Sequence, residues 1–270
     1  MTVIGTNVAA MRASYASTNA QNSLSKAIDR LSTGKRINSA ADDAAGNSIA
    51  TRMTSQIRGL NQAVRNANDG ISLVQTAEGG MNEITNMVQR MRELAVQSAT
   101  GTLGTDDRAN LQQEVTALLA QVGEVASKTD FNGVALLSAT GTVAIQTGIK
   151  SGDTIDIDLT AVDVAGLALT GTDISTTAGA GTALTALDTA LTTLTTAQAK
   201  LGAGQNRLQA TVASLVNRAT NLSDARSRIQ DANFSEESTQ LAKAQILSQA
   251  STAMLAQANQ SQQGVLSLIR

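Results

Sequence analysis

An aliphatic residue recurs at every seventh position across much of the second half of the chain, and this repeat limits the folds open to it. The series comprises Leu187, Leu194, Leu201, Leu208, Leu215, Leu222 and Ile229, with Leu184, Leu191 and Val212 at companion positions. Such heptads are typical of helices that pack lengthwise in a coiled coil. We therefore predict a helix over 184–230, with Gly202 and Gly204 inside it for either close approach or local bending.

A second apolar stripe, from Met53 to Ala95, advances in steps of three and four residues. That spacing places its members on one helix face, and the chain has no proline to interrupt a helix. We predict one helix over 45–99, about 80 Å long at about 1.5 Å per residue. A further helix is predicted over 105–129, after a glycine-containing break.

The segment between these helices and the heptad helix has a different pattern. Aliphatic residues alternate there with polar ones, as in half-buried strands, at Val143, Ile145, Ile155, Ile157 and Leu159. We predict a β-hairpin region over 140–160, preceded by a tight turn at Asn132-Gly133. Residues 166–185 are mostly Gly, Ala, Ser and Thr, and we predict a loop there.

Composition disfavours the main classes of catalytic and ligand-binding protein. The chain has no cysteine and no histidine, so it lacks thiol chemistry, the commonest metal ligand and the usual general base. Its net charge of −2 gives no basic field for nucleic acid. We predict no catalytic site, metal or cofactor, and no nucleic-acid partner, although an enzyme using lysine or carboxylates stays open on these grounds.

Both ends of the chain combine weak apolar stripes with few charges. After Lys243 no charged residue occurs until Arg270. Recurring Gln and Asn make membrane insertion of that segment costly, so we predict none. A lone helix with so little apolar area is marginally stable in water. We therefore predict that contacts with neighbouring molecules order both ends.

Two long blocks carry a family resemblance. The first runs through 31–46, 57–72 and 89–99, beginning Leu31-Ser-Thr-Gly-Lys-Arg-Ile-Asn-Ser; the second runs through 225–234 and 242–247 and ends Val265-Leu-Ser-Leu-Ile-Arg270. These blocks resemble the terminal regions of the bacterial flagellin family. The resemblance implies a mainly α fold, a long coiled-coil-like bundle of paired N- and C-terminal helices with a small β-hairpin region.

The same resemblance implies an architecture and a role. It implies an inner domain of terminal helices over 1–44 and 235–270, and a rod domain over 45–234 without the outer domains of larger flagellins. It implies a non-enzymatic subunit that polymerises into the extracellular bacterial flagellar filament for swimming and is exported by the flagellar type III apparatus.

The partners that the resemblance implies begin with other copies of the chain. They further include an export chaperone, the export apparatus, hook-junction and filament-cap proteins, and the Toll-like receptor for flagellin. The receptor contacts carried over by resemblance are Gln89, Arg90, Leu94, Gln97 and Glu114.

Our hypothesis for the mechanism is that the terminal helices fold as copies polymerise. The predicted assembly seam comprises Ile4, Val8, Met11, Leu24, Ile28, Leu31, Leu247, Met254, Leu255, Leu266, Leu268 and Ile269. One alternative is a hook–filament junction protein, which shares helical termini with flagellin. Another is a membrane-active amphipathic helix protein, which would need a basic face and aromatic anchors.

Overall fold

The computed structural model describes residues 6–267, with side-chain surroundings as far as residue 264. This part of the chain forms five helices, α1 (Val8–Thr33), α2 (Ala44–Ser98), α3 (Thr105–Lys128), α4 (Thr177–Gln230) and α5 (Phe234–Ser267). It also forms two antiparallel hairpins, β1 (Asp130–Phe131) with β2 (Val134–Ala135) and β3 (Gly141–Gln146) with β4 (Thr154–Leu159). The mainly helical fold with a small β region is therefore confirmed.

The hairpins follow the local sequence signals. Asn132 and Gly133 have φ values of 50° and 80° and join β1 to β2, because a two-residue hairpin turn favours residues that tolerate positive φ. In β4 every second residue is buried, and Val143 of β3 pairs with Ile157. The alternating pattern read from the sequence therefore gives the hairpin its buried face.

The predicted loop over 166–185 is wrong beyond residue 176, because α4 begins at Thr177. Glycine and threonine have low helix propensity, and this composition favoured a loop. Ala180 and Ala183 are nevertheless 0% and 3% exposed. Packing of these small side chains into the core stabilises a first helical turn that local propensity disfavours.

The segment before α4 is also packed rather than open. Leu167, Leu169 and Ile174 are at most 2% exposed. The buried Ser98 hydroxyl donates to the Ile174 carbonyl, and the Ile174 amide donates to the Gln112 side-chain oxygen at 2.7 Å. These contacts bind an irregular segment to the last residue of α2 and to the third turn of α3.

The chain forms two compact units, and α2 and α4 contribute to both. One, the terminal unit, contains both ends of the chain, up to Ile57 and from Thr220; the other, the central unit, is Arg58–Ala219. The resemblance implied boundaries nearer the termini, at 44/45 and 234/235. The segment after α1 pairs with the end of α4, since the Arg36 amide donates to the Gln230 carbonyl at 2.7 Å, and this pairing extends the terminal unit inward.

The central unit has a core of large aliphatic side chains. The heptad residues of α4 that lie in it, Leu187, Leu194, Leu201, Leu208 and Leu215, are 0–3% exposed. A Cβ on Gly204 would lie 2.9 Å from Ile157 Cδ1, whereas one on Gly202 would meet nothing within 4 Å. Of the two roles left open for these glycines, close approach is therefore the one found at Gly204.

Candidate assembly surface

Helices α1 and α5 pack along each other through a seam of small side chains. Ala20 and Ala27 of α1 are buried, as are Ala244, Ser251 and Ala258 of α5. Each series repeats every seven residues, the spacing of helices packed lengthwise. Because these side chains are small, they bury little apolar area for the length of helix that they pair.

Polar contacts fix the register of this helix pair at both ends. The Asn7 side-chain oxygen accepts from the Ala10 amide at 3.0 Å and so caps α1, while its nitrogen donates to the Ala258 carbonyl at 3.1 Å. At the other end, Arg30 Nη1 lies 2.9 Å from Glu237 Oε1, whose side chain is 10% exposed. The two contacts show that α1 and α5 are antiparallel.

The large apolar side chains of the pair lie mostly outside the seam. Those exposed by 47–74% are Val8, Met11, Tyr15 and Ile28 of α1 and Phe234, Ile246, Leu247 and Met254 of α5. Exposed apolar groups such as Met11 and Tyr15 on α1, and Leu247 and Met254 on α5, indicate sites of contact with another protein. The helix pair therefore has the character of one side of an interface.

The residues of the predicted assembly seam fall into three groups. Val8, Met11, Ile28, Leu247 and Met254 are exposed. Leu24, Leu31 and Leu255 are half-buried beside the alanine seam. Ile4, Leu266, Leu268 and Ile269 lie outside the residues whose side chains the structure describes.

Sequence reasoning missed the small-residue seam. Its signal was the recurrence of a small residue every seven positions, at Ala13, Ala20 and Ala27 and at Ala244, Ser251 and Ala258. Alanine is also common on exposed helix faces of this chain, so the repeat did not stand out. The consequence is that α1 packs on α5 through its alanines, while Met11 and Tyr15 face away.

Two shallow hollows lie on one side of the helix pair and are together called the flank groove. Its apolar end is lined by Ala9, Arg12, Ala13, Ala16, Ala250 and Met254. Its basic end is lined by Ser23, Lys26, Arg30, Gln240, Lys243 and Leu247, together with Glu237, the ion-pair partner of Arg30. Ala9, Ala16, Ser23 and Arg30 follow one another at sevens, as do Gln240, Leu247 and Met254. Both ends of the groove therefore lie on the same flank.

The five residues carried over as receptor contacts lie in the central unit. Gln89 and Gln97 are exposed, whereas Leu94 is 1% exposed. Arg90 Nε donates to Glu114 Oε1 at 2.9 Å and Nη1 to Glu93 Oε2 at 3.0 Å. The carboxylates of Glu114 and Glu93 raise the pKa of the Arg90 guanidinium. The surface is thus an ion-pair network above a buried leucine.

Among the described residues, no cluster of three or more Asp, Glu, His or Cys is placed to hold a metal ion. None of the described helices is long and apolar enough to cross a membrane. The fully buried side-chain nitrogen and oxygen atoms described there all have hydrogen-bond partners. The exposed apolar surface of the helix pair is therefore the main candidate site.

Comparison with known proteins identifies the relatives of the chain. Residues 4–142 match the bacterial flagellin N-terminal helical region, and residues 184–269 match the bacterial flagellin C-terminal helical region. A flagellin of Halalkalibacterium halodurans is 45% identical over 248 residues, 91% of each chain. A flagellin of Serratia marcescens is 37% identical, with 99% of each chain aligned.

Solved structures give the same result for the fold. The crystal structure of Bacillus cereus flagellin matches with a TM-score of 0.51 and 34% identity, over 60% of this chain and 94% of that chain. A structure assigned as a flagellar hook-associated protein of Vibrio parahaemolyticus matches with a TM-score of 0.60, over 70% of this chain and all of that one. Its identity is 15%, so the likeness shows the fold alone and does not favour the hook-junction alternative.

Proposed function

The chain belongs to the bacterial flagellin family and is a structural subunit of the extracellular flagellar filament, and we propose that neighbouring copies complete its α1–α5 helix pair. One observation carries the proposal: the pair buries alanine and serine in its seam and leaves its large apolar side chains exposed. Filament contacts would cover those side chains.

The energetic reason is the small area that the pair buries by itself. Ordering the backbone costs about 1–2 kcal/mol per residue, and the two helices contain 26 and 34 residues. Burial of a large aliphatic side chain stabilises by about 1.5–3 kcal/mol, and of one methylene group by about 0.8 kcal/mol. Alanines alone leave the pair marginal, so the terminal helices fold as copies stack.

Growth without closure follows if each contact uses two different surfaces of the subunit. A head-to-tail contact repeats from copy to copy and gives an open helical polymer. The described part of α5 beyond Lys243 has no charged side chain. Such a helix suits the wall of a channel that passes unfolded chain, because it has no charges to bind that chain.

Further partners are proposed on the family resemblance. The unassembled chain passes through the flagellar type III export apparatus, with an export chaperone on its C-terminal segment beforehand. Hook-junction proteins contact the first subunits of the filament, and cap proteins contact the last. Exposed Leu247 and Met254 on α5 support the chaperone proposal, because an apolar helix face needs cover before assembly.

Truncation tests the proposed function most simply. Removal of residues 236–270 should leave the central unit folded, with cooperative thermal unfolding, and should abolish filaments seen by negative-stain microscopy. A chain carrying only Gln245→Ala, at an exposed polar position of α5, is the matched control and should polymerise. Normal filaments from the truncated chain would refute the proposal.

We also propose that the surface around Arg90 is recognised by the Toll-like receptor for flagellin. The exposed Arg90–Glu114 pair and the exposed Gln89 and Gln97 support this, while buried Leu94 would act by holding the helix in place. Monomer should activate receptor-bearing reporter cells, and Arg90→Ala should reduce activation without loss of folding. No response to wild-type monomer, with a control flagellin active, would remove this proposal.

A further inference from the structure

We propose that the flank groove of one copy binds the outer face of α1 from a second copy, with the two α1 helices parallel. The outer face consists of Met11, Tyr15, Asn22 and Asp29, which are all exposed. This inference rests on the proposed function, since it names which surfaces of the helix pair meet in the filament.

The outer face points away from α5. Tyr15, Asn22 and Asp29 follow one another at intervals of seven, so they lie along one side of α1. Asn22 and Asp29 each come two residues after a buried alanine of the seam, which is about 200° around the helix at 3.6 residues per turn. The face is therefore available to a second copy while α1 stays packed on α5.

The outer face and the flank groove have complementary ends. The outer face is apolar at Met11 and Tyr15 and acidic at Asp29. Asp29 lies about 27 Å beyond Met11 along α1, at about 1.5 Å per residue. The flank groove is apolar around Ala16 and Met254 and basic at its other end. Both surfaces thus change from apolar to charged in the same direction along α1.

Three of the charged groups at these two ends make no ion pair within one copy. Asp29, Lys26 and Lys243 make no ion pair within the part of the chain that the structure describes, whereas Arg30 is paired with Glu237. Opposite charges across an interface select the partner and fix the register. Asp29 of the second copy therefore meets Lys26 and Lys243 of the first.

Only the parallel arrangement matches both ends at once. It places Tyr15 of the second copy near Arg12 of the first, where a guanidinium can lie over the ring. An antiparallel arrangement would place Asp29 among alanines and Met254, and Tyr15 among lysines. Because the face and the groove are different surfaces of one copy, the contact repeats without closing.

Two charge reversals that complement each other test the contact. Asp29→Lys reverses the outer face, and Lys26→Glu together with Lys243→Glu reverses the groove, so filaments made of either variant alone place like charges together. Each should raise the critical concentration for polymerisation at least about tenfold, and added NaCl should reduce that effect. In an equimolar mixture every contact can again join opposite charges if the variants alternate. The mixture should polymerise within about twofold of wild type.

Matched controls separate this contact from general loss of folding or of solubility. Gln21→Lys and Gln245→Glu change charge at exposed positions of the same helices, outside the face and the groove, and each should polymerise like wild type. The inference is overturned if either reversal polymerises like wild type, or if the mixture does no better than its components. Wild-type filaments would still form in both cases, so the proposed function would stand; failure of wild type to polymerise would count against that function instead.

Discussion

The helix pair of α1 and α5 and the central unit Arg58–Ala219 bury opposite kinds of side chain. The central unit encloses large side chains such as Leu94, Met91 and Leu194, all at most 1% exposed. The helix pair encloses alanines and exposes Met11, Tyr15 and Met254 by 63–74%. One region therefore has its own core, whereas the other leaves its large apolar side chains exposed.

The largest expected difference comes from making the same substitution in both regions. Leu194→Ala removes a buried side chain of the central unit and should lower the free energy of unfolding of the unassembled chain by about 2–5 kcal/mol. Leu247→Ala, at a side chain that is 47% exposed, should change it by less than about 0.5 kcal/mol. Urea denaturation followed by circular dichroism measures both.

Filament growth, unlike the stability of the unassembled chain, should depend on the Leu247 side chain. Leu247→Ala should weaken polymerisation, because the Leu247 side chain lines the flank groove. Equal losses of monomer stability from both leucine substitutions would contradict the comparison between the two regions.

A middle-sized effect is expected from enlarging the alanine seam. Ala27→Leu inserts bulk where α1 meets α5, and overpacking of this kind costs about 1–3 kcal/mol. The critical concentration for polymerisation, measured by pelleting, should rise about tenfold, while unfolding of the central unit stays unchanged. Ala27→Ser, which is close in volume, is the control and should polymerise nearly as wild type does. A normal critical concentration for Ala27→Leu would show that α1 does not pack on α5 in the filament.

The smallest effect concerns the turn that follows α1. Asp42 Oδ2 accepts hydrogen bonds from the amides of Ser39 and Asn38 and from the Ser39 hydroxyl, and the backbone bond from Ser39 does most to hold the pKa of Asp42 below its ordinary value of 3.8. A depressed pKa means that the stabilisation is present above the ordinary value and is lost as pH falls through the lower folded value.

Asp42→Asn should therefore lower the dissociation temperature of filaments slightly at neutral pH. The difference from wild type should stay constant down to about pH 5 and shrink below the ordinary value. Unfolding of the central unit serves as the internal control, since it should respond equally in both proteins. A difference that grows on acidification would show that Asp42 does not act as a carboxylate acceptor in this turn.

Much of the fold could be predicted because large aliphatic residues mark the seams of the central unit. The heptad leucines of α4 identified its packed face, and the alternation in β4 identified its buried side, because few other residues of that size compete in those segments. Composition was a poorer guide where the side chains are small. The first turns of α4 looked like a loop, since the contacts of Ala180 and Ala183 in the core are invisible to local propensity.

The candidate site could be predicted only in part, for the same reason. The apolar residues of α1 stand out in the sequence, but which face they occupy depends on where α5 packs. Ala20 and Ala27, rather than Met11, make that contact. Hydrophobicity alone would give the contact with α5 to the larger side chains, because it does not show which face of α1 packs on α5.

Amide hydrogen exchange in dilute monomer and in filaments tests most directly whether neighbours complete the terminal helices. The account predicts rapid exchange along α1 and α5 in the monomer, strong protection of both in the filament, and protection of the central unit in both states. Full protection of α1 and α5 in unassembled monomer would contradict it.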